Sequence, residues 1–201
     1  MASKDMWDSR YASEAYIFGV EPNEFLRQHA EQIPAGGRVL SIGEGEGRNA
    51  VFLASLGFQV TAIDSSGVGL AKARALAERR GLTINAQVTD VAELDFGEGV
   101  WDGVVSIFCH LPSALRRQVH AHVSRALKPR GVFLLQAYTM EQLTHRTGGP
   151  SDPDMLYGED ILRGDLKDLS FEILQELTTE LHEGTAHDGR SAVVQMVARR
   201  L

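Results

Sequence analysis

Val39-Leu40-Ser41-Ile42-Gly43-Glu44-Gly45-Glu46-Gly47-Arg48 is an apolar run of strand length that closes on three glycines spaced two apart. A dinucleotide fingerprint, G-x-G-x-x-G, needs its third glycine at position 48, where the chain has Arg48. Glycine has no Cβ, so a ligand can lie against bare backbone and the chain can take φ values that other residues avoid. Between a strand and a helix, such a turn suits a small polar cofactor and supplies no pyrophosphate cradle. A plain glycine-rich strand-to-helix turn would explain the loop alone. It does not explain Asp64, which closes the next apolar run, 58–63, where an acid accepts both hydrogen bonds of a ribose diol.

Working outward, apolar runs at 38–42, 58–63, 84–88, 103–108 and 132–138 have strand length and are rich in Val, Ile and Phe. Their near-continuous hydrophobicity predicts strands covered on both faces, as in a parallel sheet. Helical patterns lie between them. One follows the glycine turn and stops at Gly57, and one spans 68–80 and stops at Gly81. A third is expected to start at Ser113 as N-cap, with its stripe on Leu115, Val119, Val123, Ala126 and Leu127. Lys128 falls in its last turn, and Pro129 and Gly131 end it. Residues 148–153 read as a loop, and 158–166 as a short helix. Strand-like segments at 172–182 and 191–199 are joined by 183–190, too short for a helical crossover, so they must be antiparallel. The expectation is an α/β fold, a doubly wound, mostly parallel seven-stranded Rossmann-like sheet ending in an antiparallel hairpin. Residues 1–37 flank a core over 38–201 in one domain, and no repeats or linkers interrupt it.

The glycine turn paired with Asp64 resembles the class I S-adenosylmethionine-dependent methyltransferases over most of the chain. Gly47-Arg48-Asn49-Ala50 is similar to their tellurite-resistance branch and, more distantly, to the thiopurine methyltransferases. That family usually carries an acid two residues before the first glycine, where this chain has Ser41. Glu44 and Glu46 are alternative sources of charge for the cofactor's ammonium, with Glu46 equally readable as a solvated loop carboxylate. The resemblance implies S-adenosylmethionine as cofactor, lying on Gly43, Glu44, Gly45, Gly47 and Asn49. Asp64, with Ser65 beside it, would take the ribose, Asp90 the adenine amino group and the Val91 amide a ring nitrogen. For Asp90 a helix N-cap ahead of Ala92-Glu93-Leu94 is an equal alternative. Phe108 and Tyr11 complete the cofactor pocket. The segment 7–22, dense in aromatics, would fold over it as a lid or dock on the sheet as a plain helix. Trp7, Arg48 and His187 would face the acceptor, His187 through a Glu-Gly-x-x-His pattern in the last hairpin.

The acceptor implied is a small molecule with a soft nucleophile, such as a thiol or a selenium or tellurium oxyanion. His110, just past a strand end, is the titratable candidate for a base, against a packing role with one hydrogen bond. Cys109 reads as a small buried hydrophobe, and Asp102 as a structural acid at the far end of its strand. His120 and His122 point to different helix faces, so no metal site is expected. The chain has 201 residues, 43% of them hydrophobic, enough for one full core. A net charge of −7 argues against a nucleic-acid surface, and Arg79-Arg80 and Arg116-Arg117 read as solvated helix faces. No leader is evident at the first residues, and no run nears the ~18 apolar residues of a membrane span. The single cysteine fits a reducing cytoplasm, and a monomer or weak homodimer is expected. Two rivals stand beside this reading. A nicotinamide-dependent reductase is disfavoured by Arg48 and by Gln142, four residues after Tyr138, where a lysine would be needed. A cofactor-binding protein without turnover remains open at Ser41 and Glu44.

Overall fold

In the computed structural model, residues 4–145 and 147–201 are described. Residues 1–3, part of the stretch read above for a leader, lie outside them. Seven strands form one sheet: β1 (Arg38–Ile42), β2 (Gln59–Asp64), β3 (Asn85–Val88), β4 (Trp101–Ile107), β5 (Leu127–Tyr138), β6 (Leu169–Glu183) and β7 (His187–Arg200). Their order is β3-β2-β1-β4-β5-β7-β6. The first five are parallel, and β7 runs antiparallel to both β5 and β6. This is the expected α/β sheet with its terminal antiparallel hairpin. Strand order reverses between β1 and β4, so the crevice for a ligand opens at their carboxyl ends.

Helices cover both faces, which is why the central strands read as unbroken apolar runs. On one face Leu40, Val104, Phe133 and Leu135 pack under α5 (Ser113–Ala126) and α6 (Glu159–Asp165). On the other, Val39, Val60, Val105 and Leu134 pack under α2 (Glu24–His29), α3 (Arg48–Ser55) and α4 (Gly67–Arg79). The remaining helix, α1 (Lys4–Tyr11), lies against α4. Among the described residues no helix is long and apolar enough to cross a membrane.

Several local expectations are corrected. β3 is largely exposed, because it is the edge strand with one neighbour. Ser113 is the first residue of α5 and Pro112 the cap position, while the Ser113 amide donates to Asp154 Oδ2 at 2.9 Å. The helix ends at Ala126, and 127–131 already belong to β5, so Leu127 and Lys128 leave the helical stripe. Lys128 instead donates to Asp102 Oδ2 at 2.8 Å, which also accepts the Arg38 amide at 2.8 Å, as befits a structural acid at the strand's start. The last two strands run longer than expected, leaving 184–186 as the turn. Arg116 is not solvated. It is buried and bonded to Asp165 at 2.8 Å, in a group with His120 that ties α5 to α6. No helix follows Asp90, whose Oδ1 accepts the Ala92 amide in a turn.

Candidate functional site

A cavity of about 480 Å³ opens at the carboxyl ends of the parallel strands, within the usual size range for small-molecule pockets. It gathers most of the residues singled out in the sequence: Trp7, Tyr11, Gly43, Glu44, Arg48, Asn49, Asp64, Ser65, Asp90, Val91, Phe108, His110 and His187. Gly45 and Gly47 are not on its wall. A Cβ on Gly45 would lie 2.7 Å from the Tyr11 hydroxyl, and one on Gly47 would lie 2.5 Å from Ala73. These two glycines serve the close approach of α1 and α4, while Gly43 alone presents backbone to the cavity.

The loop is braced by its own acids. Asp64 Oδ2 accepts the Gly45 amide and Oδ1 the Ser66 amide, both at 2.8 Å. Burial raises the Asp64 carboxyl above its ordinary range, against the pull of those two bonds. Glu44 turns inward, where it accepts the Ser41 hydroxyl and the Asn49 and Ala50 amides, the last at 2.9 Å. It therefore satisfies free N–H groups at the start of α3. Burial pushes its carboxyl up to about 7, in spite of those donors. The acid missing at Ser41 is thus supplied from position 44, with Ser41 hydrogen-bonded to it. Glu46 is not a solvated carboxylate. It is 3% exposed and paired with Lys72.

The roof is α1 and the segment after it. Trp7 stacks on Tyr11 with ring centroids 5.4 Å apart, and Phe18 meets the Tyr11 ring edge-on. The Arg10 guanidinium sits 5.3 Å from the Trp7 ring centre and 5.6 Å from that of Phe18. Asp8 Oδ1 accepts the Ser66 hydroxyl at 2.6 Å and the Val68 amide at 3.3 Å, so α1 is latched to the N-terminus of α4. From below, the Ala186 amide donates to the Ile17 carbonyl at 3.1 Å, which ties the β6–β7 turn to the roof.

At the other end of the cavity, both nitrogens of His110 are committed. Nδ1 donates to the Met155 carbonyl at 2.8 Å, and Nε2 accepts the Tyr138 amide at 3.3 Å. Burial lowers its pKa to about 4, against the Met155 bond. In this arrangement His110 has no free lone pair for a proton, and the packing alternative describes it. Burial pushes the Cys109 thiol up to about 12, in keeping with a small hydrophobe.

Arg48 lines the cavity while engaged in an ion pair. Its Nη2 donates to Glu183 Oε2 at 2.7 Å, with side chains 7% and 9% exposed. Asn23 Nδ2 donates to the other oxygen of Glu183 at 2.8 Å, and the Asn23 amide donates to Asn49 Oδ1 at 2.9 Å. Burial opposes ionisation of Glu183, but His187 and Arg48 outweigh it and hold the carboxyl at about 2. This knot joins α2, α3 and β6 behind the cavity wall. Sequence reasoning missed Met155 as part of the wall, and it placed Arg10, Phe18, Tyr138, Asn23 and Glu183 only within site-building segments or at a strand end, without the wall and bracing roles they have. Their only sequence signals were the aromatic density of 7–22, a strand end and the last hairpin, because each depends on contacts made far along the chain.

Residues 39–131 match the family described as a methyltransferase domain. A methyltransferase from Geobacillus sp. is 34% identical over 150 residues, covering 67% of this chain and 60% of that protein. Over this stretch the chain is similar to S-adenosylmethionine-dependent methyltransferases. The chain spans about half the length of other curated relatives, matched at 26% identity. Among solved structures, one concerned with converting a disulfide bond into a thioacetal group during echinomycin biosynthesis superposes with a TM-score of 0.78. It has 21% identity, covering 98% of this chain and 92% of that one. TehB from Haemophilus influenzae gives 0.71 at 22% identity, covering 98% and 67%. At these identities the likeness is one of fold.

The methyltransferase cofactor fits the wall. With backbone amides at Gly45, Ser65 and Ser66 around it, the Asp64 carboxylate still has acceptor capacity for a diol, and among the described residues no protein group accepts the Val91 amide. Asp90 offers a carboxylate beside it. This end of the cavity, at β2 and β3, is where adenosine would lie. The methionine end would then reach Gly43 and Glu44 at β1. When bound, the cofactor supplies an electrophilic methyl group on a sulfonium, and the aromatic roof suits its positive charge.

Proposed function

We propose that this protein transfers the methyl group of S-adenosylmethionine to a small-molecule acceptor bound between the roof and the β4–β5–β7 end of the cavity. The observation that carries this reading is the arrangement of the cavity. Adenosine-type donors and acceptors line its β2–β3 end, and α1 covers it through the Asp8 latch and the Tyr11–Gly45 contact. The sulfonium is already a good leaving group, so the protein chiefly aligns nucleophile, methyl and sulfur and excludes water. A covered cavity of this size suits a compact acceptor. Soft nucleophiles, thiols or selenium and tellurium oxyanions, are the acceptors that the Gly47-Arg48-Asn49-Ala50 resemblance supports.

Calorimetric titration with S-adenosylhomocysteine and, separately, NADH tests the cofactor. Transfer from methyl-labelled S-adenosylmethionine to a panel of thiols, phenols and oxyanions tests the reaction. Binding of S-adenosylhomocysteine but not NADH, with label passing to at least one acceptor, is the expected result. Binding without transfer to any acceptor would instead support a cofactor-binding protein without turnover.

A further inference from the structure

His187, the first residue of β7, is 7% exposed and held by three rings. Phe108 lies 4.4 Å away, Phe18 4.5 Å and Tyr138 5.5 Å, centroid to centroid. Its two nitrogens are placed differently. Nδ1 is buried, has no hydrogen-bond partner, and stands 3.9 Å from Glu183 Oε2. His187 lines the cavity, and Nε2 is neither bonded nor among the enclosed unpartnered atoms, so it is the nitrogen open to the cavity. Glu183 cannot swing away, because Arg48 and Asn23 each hold one of its oxygens.

We infer that His187 is the general base of the proposed methyl transfer, with Glu183 positioning it through Nδ1, and that the acceptor therefore enters carrying a proton on its nucleophilic atom. The inference rests on the methyltransferase reading and narrows its acceptor class to protonated thiols or hydroxyls. The carboxylate facing Nδ1 favours the tautomer with its proton there, which leaves the Nε2 lone pair toward the acceptor. In the step, the acceptor's X–H bond breaks and its proton goes to Nε2. The pair left on X bonds to the methyl carbon, and the sulfonium–methyl bond breaks with its electrons passing to sulfur. The resulting imidazolium faces the Glu183 carboxylate, and its proton leaves to solvent when the roof opens. The charged and titratable groups around the ring are Glu183 on β6, Arg48 on α3, Arg10 on α1, Tyr138 on β5 and His110 after β4. Burial lowers the His187 pKa below its ordinary value, Glu183 opposes this, and Arg48 and Arg10 add to it. The ring is therefore neutral and able to accept a proton at neutral pH.

Two experiments test this, the first without turnover. In histidine-¹⁵N-labelled protein with S-adenosylhomocysteine bound at pH 7.5, the His187 resonances, assigned by their loss in His187→Gln, should show the neutral Nδ1–H tautomer. The Nε2–H tautomer would overturn the inference. The second uses two probe acceptors, benzyl mercaptan, which is protonated at neutral pH, and 4-nitrobenzenethiol, which is ionised. His187→Gln should slow methylation of the first by about 100-fold or more and of the second by less than about threefold. Glu183→Gln should fall between wild type and His187→Gln for the first probe. Equal losses for both probes in His187→Gln would reduce His187 to a structural residue and overturn the inference. Failure of wild type to methylate either probe, with the tautomer as expected, would count against the transfer reaction and leave the placement of the base standing.

Discussion

Replacing Arg48 with methionine isolates what the buried knot behind the cavity contributes. Arg48 and Glu183 are enclosed, at 7% and 9% side-chain exposure, with Nη2 and Oε2 2.7 Å apart. Removing one partner of such a pair leaves an uncompensated buried charge, at a typical cost of about 3–5 kcal/mol. Two features place this case at the lower end. Glu183 keeps the Asn23 amide at 2.8 Å, and Arg48 Nη1 is buried without a partner, so the native pair is itself imperfectly satisfied. A loss of about 3 kcal/mol corresponds to a fall in Tm of about 6–12 °C for a chain of this size. Thermal melts followed by circular dichroism at 222 nm would measure it, with urea titrations to check that m is unchanged. The double variant Arg48→Met with Glu183→Gln removes both charges, and should recover most of the loss. A Tm within about 2 °C of wild type for Arg48→Met would refute the reasoning, as would strictly additive effects in the double variant. Either result would return Arg48 to the acceptor side, where its sequence position had suggested it belonged.

The other predictions concern the cofactor end. Asp64→Ala should weaken S-adenosylhomocysteine binding by about 1.5–3 kcal/mol, the worth of a charge-assisted hydrogen bond. Because Asp64 also accepts the Gly45 and Ser66 amides, some of that loss comes from a loosened loop. Calorimetry with the 2′-deoxy analogue separates the two, since a variant that still discriminates against the analogue as wild type does would show that Asp64 does not touch the ribose. Gly45→Ala should loosen α1 and speed tryptic cleavage at Arg10, since the new Cβ meets the Tyr11 hydroxyl at 2.7 Å from a residue at φ +62. Adding Tyr11→Phe should reverse part of that acceleration, and no reversal would place the clash elsewhere. Glu44 titrates at about 7 in the fold against an ordinary 4.5, so the native state holds the extra proton between those values. The stability this group contributes is present below about pH 4.5 and lost as pH rises through 7, about 3 kcal/mol in all. Melting wild type and Glu44→Gln from pH 4.5 to 8 should therefore show wild type losing ground to the variant, and parallel curves would contradict the assignment.

The sequence alone determined the architecture, because periodicity and turn chemistry are local. Unbroken apolar runs required strands covered on both faces, the spacing of Gly43, Gly45 and Gly47 marked the turn after β1, and the short join before β7 forced an antiparallel hairpin. It also brought Asp64, Asp90, Val91 and Phe108 to one cavity, since strand ends in such a sheet converge at the switch point. Where local signals failed, longer-range contacts had prevailed. Pro129 and Gly131 read as helix breakers, yet the chain from Leu127 had already paired with β4. Arg116 and Glu46 read as solvated, yet each is neutralised by a partner 26 or more residues away, Asp165 and Lys72 respectively. Only the tertiary structure decided the chemistry of the histidines. His110 and His187 look alike in sequence, each near a strand end and each next to polar neighbours. Packing ties both nitrogens of one to backbone and leaves the other with a carboxylate behind it and a free nitrogen facing the cavity. Which nitrogen is free depends on contacts between β4, β5, β6 and β7, and no local pattern records them.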